Sequence, residues 1–207
     1  PTLGPQGTLI SLDSSQTRHA TQVLRLRAGD QVELFNGQGG VAQGVLQPTA
    51  DAKRTGIRVQ LGKLTQLDVP TPRIDIGAAL PKGSLVANMV ATLSQLGADQ
   101  FIPLQTDRSV TNPRRGKLDR IRRVAIESAR QCRRAYLLTV QEPIVFGDLP
   151  FDFYEKCLIA TPGGPTPADP GRGLRDAKRI LLLIGPEGGW SKDELMLASN
   201  AGCQSWQ

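Results

Sequence analysis

Leu181-Leu182-Leu183-Ile184-Gly185-Pro186-Glu187-Gly188-Gly189-Trp190-Ser191 is the stretch on which the fold turns. An uninterrupted apolar run bounded by glycine and proline predicts a strand buried on both faces. The glycines that follow let the backbone approach a flat ligand closely and expose N–H and C=O groups to it. A helix then starts: Ser191 as N-cap stands three residues before Glu194, the spacing of a capping box, and predicts a helix over 191–200. The loop matches neither G-x-G-x-x-G nor G-x-x-x-x-G-K-[ST]. With no phosphate-cradling lysine, hydrolysis of ATP or GTP is disfavoured, and a ligand without phosphate suits the loop better. A plain tight turn from strand to helix reads the same residues equally well.

Working outward, Ile74–Leu80, Gln100–Leu104, Lys156–Ala160 and Ile180–Ile184 read as strands. Between them, Lys82–Leu96 has helical spacing at Leu85, Met89, Thr92, Leu93 and Leu96, closed by Gly97. Lys117–Arg134 presents Leu118, Ile121, Ala125, Ala129 and Cys132 on one face. Strands alternating with helices predict an α/β unit, an open and mostly parallel sheet covered on both faces. Ligands in such sheets bind beyond the carboxyl ends of strands. Two loops stand there, Thr161-Pro162-Gly163-Gly164-Pro165 and Gly185–Gly189, while residues 161–176, rich in Pro, Gly and Asp, read as a mobile loop.

Upstream the pattern changes. Pro70-Thr71-Pro72 is a stiff linker and places the domain boundary between 1–69 and 70–207. Residues 8–64 read as a β-rich unit: Gln31–Phe35 alternates, Asn36-Gly37 predicts a tight hairpin turn, Val41–Leu46 returns, and Thr55–Leu61 puts Ile57, Val59 and Leu61 on one face. Ser15–Arg27 reads as a short helix bearing Val23 and Leu24.

The net charge of +6 favours a polyanionic partner, nucleic acid first, with simple solubility charge as the alternative. Cys132, Cys157 and Cys203 are far apart, odd in number and without CxxC spacing, which argues against a disulfide framework or a zinc site and for a reducing compartment. Cys132 and Cys157 read as small core hydrophobes. No apolar run approaches the roughly 20 residues of a membrane helix, and the N-terminus carries no signal pattern. The first residue is not Met, so the start of the chain is expected to lie further upstream. A cytoplasmic protein is expected, with an organelle stroma or matrix as the alternative.

Ile184–Ser191 resembles the I-G-P-E-G-G-[FWL]-[ST] motif of the RsmE family, the ribosomal RNA small subunit methyltransferase E proteins, and Glu194 matches the glutamate that follows it. The likeness runs through the chain in order. His19 with Val23–Asp30 resembles H-x-x-x-V-L-R-x-x-x-G-D, and Phe35–Gly39 resembles the hairpin after it. Leu80-Pro81-Lys82-Gly83 and Gln95-Leu96-Gly97 resemble K-G…E-L-G. Ile102-Pro103 with Arg108-Ser109 resembles I-x-P…R-S, and Ala125–Cys132 resembles A-x-E-A-x-E-Q-S/C. The resemblance implies an N-terminal PUA-like β-barrel for RNA and a C-terminal SPOUT α/β domain with a trefoil knot. It also implies a homodimer, S-adenosylmethionine as cofactor, and methylation of uracil N3 in the 16S rRNA of the small ribosomal subunit. The chain departs from the family at Thr92 (usually Lys), Gln95 (Glu), Ile121 (Trp) and Arg130 (Glu). Family members continue past the position of Gln207 with L-G-x-R-I-L-R-x-E-T-A, which completes knot and pocket, so the knot is expected to be incomplete in these 207 residues.

The resemblance makes the loops Thr161, Pro162, Gly163 and Ile184, Gly185, Pro186, Glu187, Gly188, Gly189 the walls of the cofactor site. A branched side chain at Gly188 is expected to fill it. N3 methylation needs loss of the N3 proton and an aligned base; no metal is required. Glu187 is the best-placed carboxylate, with ordering of the glycine loop as its other reading. Arg108 suits phosphate or uracil oxygens, or else an ion pair with Asp107 or Glu127. The dense set Arg114, Arg115, Arg120, Arg122, Arg123, Arg130, Arg133 and Arg134 offers phosphate contacts, Arg122 and Arg123 first, or else a solvated helix face. In the N-terminal unit His19, Arg25 and Arg27 are the RNA-binding candidates, although His19 reads equally as an ordinary surface histidine. Trp190 and Trp206 read as packing residues. Two alternatives stand beside the enzyme: a non-catalytic RNA binder of the same fold, and a SPOUT methyltransferase with another RNA target.

Overall fold

The structure, a computed structural model, describes residues 3–48, 56–83, 85–110, 115–164 and 173–206. The chain divides into two compact units, Pro1–Val69 and Pro70–Gln207. Among the expectations above, Thr55, Arg114, the side chain of Arg115 and residues 165–172 of the loop 161–176 lie outside the described residues.

The first unit is an antiparallel sheet in the order β1-β4-β3-β2, from β1 (Leu9–Ser11), β2 (Gln31–Phe35), β3 (Gly40–Leu46) and β4 (Arg58–Gln66). Alternation puts Ala42, Leu46, Val59 and Leu61 inside. The turn expected at Asn36-Gly37 lies in the β2–β3 connection, residues 36–39. Asn36 acts through its side chain, accepting from the backbone N–H groups of Gln38 at 2.8 Å and Gly40 at 2.9 Å, while Gly37 and Gly39 take the positive φ. The helix expected over 15–27 is short. Helix α1 (Ser14–Arg18) starts under an Asp13–Gln16 capping box and gives way to a π-helical turn, His19–Val23. Val23 and Leu24, read on that helix, are exposed.

The second unit is a parallel sheet, ordered β11-β9-β10-β5-β6-β7 with β8 also paired to β6. Its strands are β5 (Arg73–Ala79), β6 (Gln100–Gln105), β7 (Thr139–Val140), β8 (Ile144–Val145), β9 (Lys156–Ala160), β10 (Arg179–Ile184) and β11 (Gln204–Trp206). Helices α2 (Leu85–Leu96) and α3 (Arg115–Gln131) cover one face, packing Val86, Val90, Leu118 and Ile121 on Ile76 and Phe101. Helix α4 (Lys192–Asn200) and two 3₁₀ turns cover the other, packing Ala198, Phe146 and Trp190 on Leu104, Leu181 and Leu183. Burial on both faces is why these strands read as apolar runs.

Two helix expectations shift. The buried face of α2 is Val86, Val90 and Ser94, while Leu85 and Leu96 are exposed. Ser94 donates to the Ala125 carbonyl at 3.0 Å and Ser128 to that of Ala91 at 2.9 Å, so small polar residues join α2 to α3. The face of α3 is as read except at Cys132, which lies past the helix end and is exposed. The expectation against a disulfide is overturned: Cys157 and Cys203 are bonded across 46 residues. Parallel pairing of β11 with β9, Gln204 opposite Leu158, puts the two thiols at adjacent positions, which spacing along the chain cannot reveal.

Candidate active site

Three loops meet beyond the carboxyl ends of the central strands. The connection from β5 leads to β6 on one side, and that from β10 passes β9 to reach β11 on the other. The β5–β10 boundary is therefore a topological switch point, the place where such sheets bind ligands. A cavity of about 210 Å³ lies there, walled by Ala78–Lys82 after β5, Ile184–Glu187 after β10, Met89 of α2, and Val110.

The glycine loop is shaped from within. The Gly189 N–H donates to the Pro186 carbonyl at 2.8 Å, and Gly189 takes φ +69°, closing a turn that a side chain would strain. A Cβ on Gly185 would stand 2.9 Å from the Trp190 indole, whose Nε1 donates to the Ala160 carbonyl of β9 at 2.9 Å. Trp190 is a buried packing residue, as read, and it ties the β10 loop to the end of β9. Ser191 caps α4, with the reciprocal Ser191–Glu194 bonds in place.

Glu194 also reaches across the sheet. One carboxylate oxygen accepts from the Ser191 N–H at 2.8 Å and the other from the Asp107 N–H at 2.9 Å, in the loop after β6. Arg108 of that loop donates from Nη1 to the Gly188 carbonyl at 2.8 Å. Ser109 closes the same loop through Thr106 at 2.7 Å. Arg108 therefore makes neither expected ion pair; it fastens the 106–109 loop to the glycine loop. Gly188 does not line the cavity, and a Cβ there would meet only the Arg108 side chain at ordinary contact distance, 3.4 Å. A side chain at Gly188 would therefore point at Arg108 and not into this cavity.

Glu187 is exposed at the cavity, and among the described residues its carboxylate has no hydrogen-bond or ion-pair partner. The alternative in which it orders the loop by hydrogen bonds is therefore not what the geometry contains. Lys82 lines the same cavity, likewise without a partner among the described residues. It was legible only as part of a motif, and its signal was its place just past a strand's carboxyl end.

The Thr161–Gly163 loop does not line this cavity. It stands beyond β9, next to β10, and Thr161 donates its N–H to the Trp206 carbonyl of β11 at 2.8 Å. Gly163 at φ +73° and Gly189 both have open space where a side chain would project. Loops of adjacent strands with unobstructed backbone could hold a nucleoside that carries no phosphate; Gly163 and Gly189 have that open space, and Thr161, Pro162 and Gly188 flank them in the chain. Among the described residues no cluster of His, Cys, Asp and Glu could hold a metal.

The RNA candidates lie elsewhere. His19, Arg25 and Arg27 are exposed in the first unit, Arg25 in the left-handed region at φ 55°. On α3, Arg122 is held by Glu142 at 2.7 Å and Asp119 at 3.5 Å, whereas Arg123 lines an open groove between α2 and α3 with Arg120 and Glu127. Arg130 pairs with Glu127 at 2.7 Å.

The family model for an RNA methyltransferase domain matches residues 69–207, and one for an RNA methyltransferase PUA domain matches residues 12–53. The chain belongs to this RNA methyltransferase family, as the resemblance to the small subunit methyltransferase E proteins implied. It is similar to the ribosomal RNA small subunit methyltransferase E of Synechocystis sp., with 32% identity over 94% of this chain and 65% of that protein. The Mycobacterium bovis protein of the same name is 28% identical over 97% of this chain and 79% of its own length. This chain thus spans just under two thirds of the cyanobacterial relative. Among solved structures, ribosomal RNA small subunit methyltransferase E of Neisseria gonorrhoeae bound to S-adenosylmethionine superposes with a TM-score of 0.85 at 20% identity, covering 100% of this chain and 85% of that one. A putative methyltransferase from Legionella pneumophila in complex with the same cofactor gives 0.82 at 23%, covering 100% and 86%. At such identities these two establish the shared fold. Among the described residues no helix is long and apolar enough to cross a membrane.

Proposed function

We propose that this chain is an S-adenosylmethionine-dependent methyltransferase acting on uracil N3 in 16S rRNA of the small ribosomal subunit. The observation that supports it most is Glu187, a carboxylate without a partner among the described residues at a switch-point cavity, on the loop after β10, the strand paired with the β9 that leads into Thr161–Gly163. Bound cofactor supplies a methyl group already activated by its sulfonium. The protein's work is therefore to hold and deprotonate the base. The 161–163 and 184–189 loops hold the nucleoside by backbone contacts, and Glu187 takes the N3 proton. Arg108 keeps the glycine loop in register and retains guanidinium N–H groups for phosphate or a uracil oxygen. His19, Arg25 and Arg27 of a PUA-like barrel, with Arg122 and Arg123, contact the RNA backbone; Arg122 must first leave Glu142. A homodimer, a trefoil knot through the cofactor site and a cytoplasmic location complete this reading.

The test is mass spectrometry of nucleosides from small-subunit rRNA incubated with the protein and labelled methyl donor, alongside calorimetry with S-adenosylhomocysteine. Label in N3-methyluridine together with cofactor-product binding is the expected result. Binding without label leaves a non-catalytic RNA binder or another target; absence of both ends the proposal.

A further inference from the structure

We infer that the cavity between the ends of β5 and β10 is the pocket for the acceptor base, and that Lys82 and Glu187 together read it as uracil. This deepens the methyltransferase reading and rests on it.

Size comes first. Pockets for whole cofactors and drug-sized ligands start at roughly 300 Å³, whereas this cavity holds about 210 Å³. That is small for an adenosyl nucleoside with its amino-acid tail and ample for one pyrimidine ring. The open backbone suited to the nucleoside faces elsewhere: Thr161–Gly163, Gly188 and Gly189 are not in the cavity wall. The 184–187 segment thus lines the cavity for the base and runs directly into Gly188 and Gly189 of the cofactor loop, so that base and methyl donor can meet at its end.

Chemistry comes second. Most of the wall is apolar, with Leu80, Pro81, Met89, Val110 and Ile184 offering flat contacts to a ring taken out of its stack. The two charged side chains in it are of opposite sign, Lys82 and Glu187, and neither is neutralised by a partner among the described residues. Uracil presents an N3–H between two carbonyl oxygens. A carboxylate accepts that N–H while an ammonium donates to a flanking oxygen. Cytosine presents a bare lone pair at N3, which a carboxylate repels, so one pair of groups selects uracil and rejects cytosine.

The same contacts serve the reaction. The N3–H bond breaks with its proton moving to Glu187. The released electron pair forms the N3–CH₃ bond as the methyl–sulfur bond of the sulfonium donor breaks, leaving its pair on sulfur as a neutral thioether. Lys82 faces the oxygen on which the negative charge of the deprotonated ring accumulates, so its attraction strengthens along the reaction.

Titrations of the full chain with an oligouridylate and an oligocytidylate of equal length, by fluorescence anisotropy, test this without turnover. The chain is expected to prefer the oligouridylate. Lys82→Met should lower oligouridylate affinity about tenfold, the worth of one charge-assisted hydrogen bond, and leave the oligocytidylate unchanged. Val110→Trp, at a largely exposed position of the rim, should do the same by occupying the cavity. S-adenosylhomocysteine affinity should stay within about twofold in both. Equal losses for both oligonucleotides would make Lys82 an ordinary phosphate contact and overturn the inference, as would no loss for either. Loss of S-adenosylhomocysteine binding in both variants would place the cofactor in this cavity, ending the inference and sparing the methyltransferase reading. A wild-type chain that prefers uridine but binds no S-adenosylhomocysteine would do the reverse.

Discussion

At the amino ends of β5 and β10, charged side chains are locked to one another; at the carboxyl ends of the same two strands they stand free. Asp75 of β5 is fully buried and accepts from Arg179 of β10 at 3.0 Å and from the Tyr154 hydroxyl at 3.0 Å. Asp99 joins Arg179 at 3.1 Å and Arg73 at 2.7 Å, and the Arg179 guanidinium lies over the Phe153 ring at 4.6 Å. Among the described residues only Arg73 Nε is a buried side-chain polar atom left without a partner. Lys82 and Glu187, by contrast, have no partner in the chain among the described residues. A polar group is tolerated inside chiefly when it is satisfied, and at the amino end every described buried side-chain polar atom but Arg73 Nε is, so that end is built as structure. Lys82 and Glu187 are exposed, and charge held by no described side chain beside an apolar cavity is available to a ligand.

The largest effect is expected at the amino end. Asp75→Ala strips Arg179 and Tyr154 of their acceptor and should cost about 3–5 kcal/mol in urea unfolding. A loss below about 1 kcal/mol would mean that solvent reaches the cluster. The cluster also has a pH signature. Burial pushes the Asp75 carboxyl above the usual aspartate range, against the opposing pull of Arg179 and Tyr154. A raised carboxyl contributes stability fully below the ordinary aspartate value and loses it as pH climbs through the raised one. The stability margin of wild type over Asp75→Asn should therefore narrow with rising pH across that window; a widening margin would show that the Arg179 pair outweighs burial.

At the open end the cost falls on rate. Glu187→Gln keeps shape and removes the proton acceptor, so methyl transfer should drop about a hundredfold while unfolding stability moves by less than about 0.5 kcal/mol. Comparable stability losses in Glu187→Gln and Asp75→Ala would erase the contrast between the two ends.

Glu194 belongs to neither extreme. It is buried like Asp75, but its partners are backbone N–H groups of two loops at the open end. Glu194→Ala removes half of a capping box and the link to Asp107, worth about 2 kcal/mol by thermal or urea melts. An effect below about 0.5 kcal/mol would mean that water replaces both bonds.

How much of this was legible follows the range of the interactions. The capping box is local, and strands buried on both faces write themselves as apolar runs, so β5, β6, β9, β10, α4 and the glycine loop could be read. Helix α2 was phased only in part: Met89 and Leu93 pack against the core as read, but Leu85-Val86-Ala87-Asn88-Met89-Val90 is apolar on more than one stripe, and the sheet buries Val86 and Val90 and leaves Leu85 exposed. The Cys157–Cys203 bond depends on β11 returning to lie beside β9, a tertiary event with no trace in spacing. Lys82 was visible as a motif residue, but its role needed β5 and β10 to be neighbours. Arg108 was read as a free hand because a bond to a backbone carbonyl 80 residues away leaves no sequence pattern.

Gly188 and Gly189 give the smallest and finest contrast, since adjacent glycines in one motif do different work. Gly189 sits at φ +69°, where an L side chain is strained whatever the space around it. Gly189→Ala should cost about 1 kcal/mol and, by distorting the Pro186–Gly189 turn, weaken S-adenosylhomocysteine binding. Gly188 has no such backbone, and a methyl group there meets Arg108 at an ordinary 3.4 Å. Gly188→Ala should change stability by less than about 0.5 kcal/mol and leave binding intact, read by calorimetry on both variants. If Gly188→Ala instead abolished binding while Gly189→Ala did not, the cofactor would have to press on Gly188 itself. Arg108 would then have to swing away from the glycine loop when the site fills.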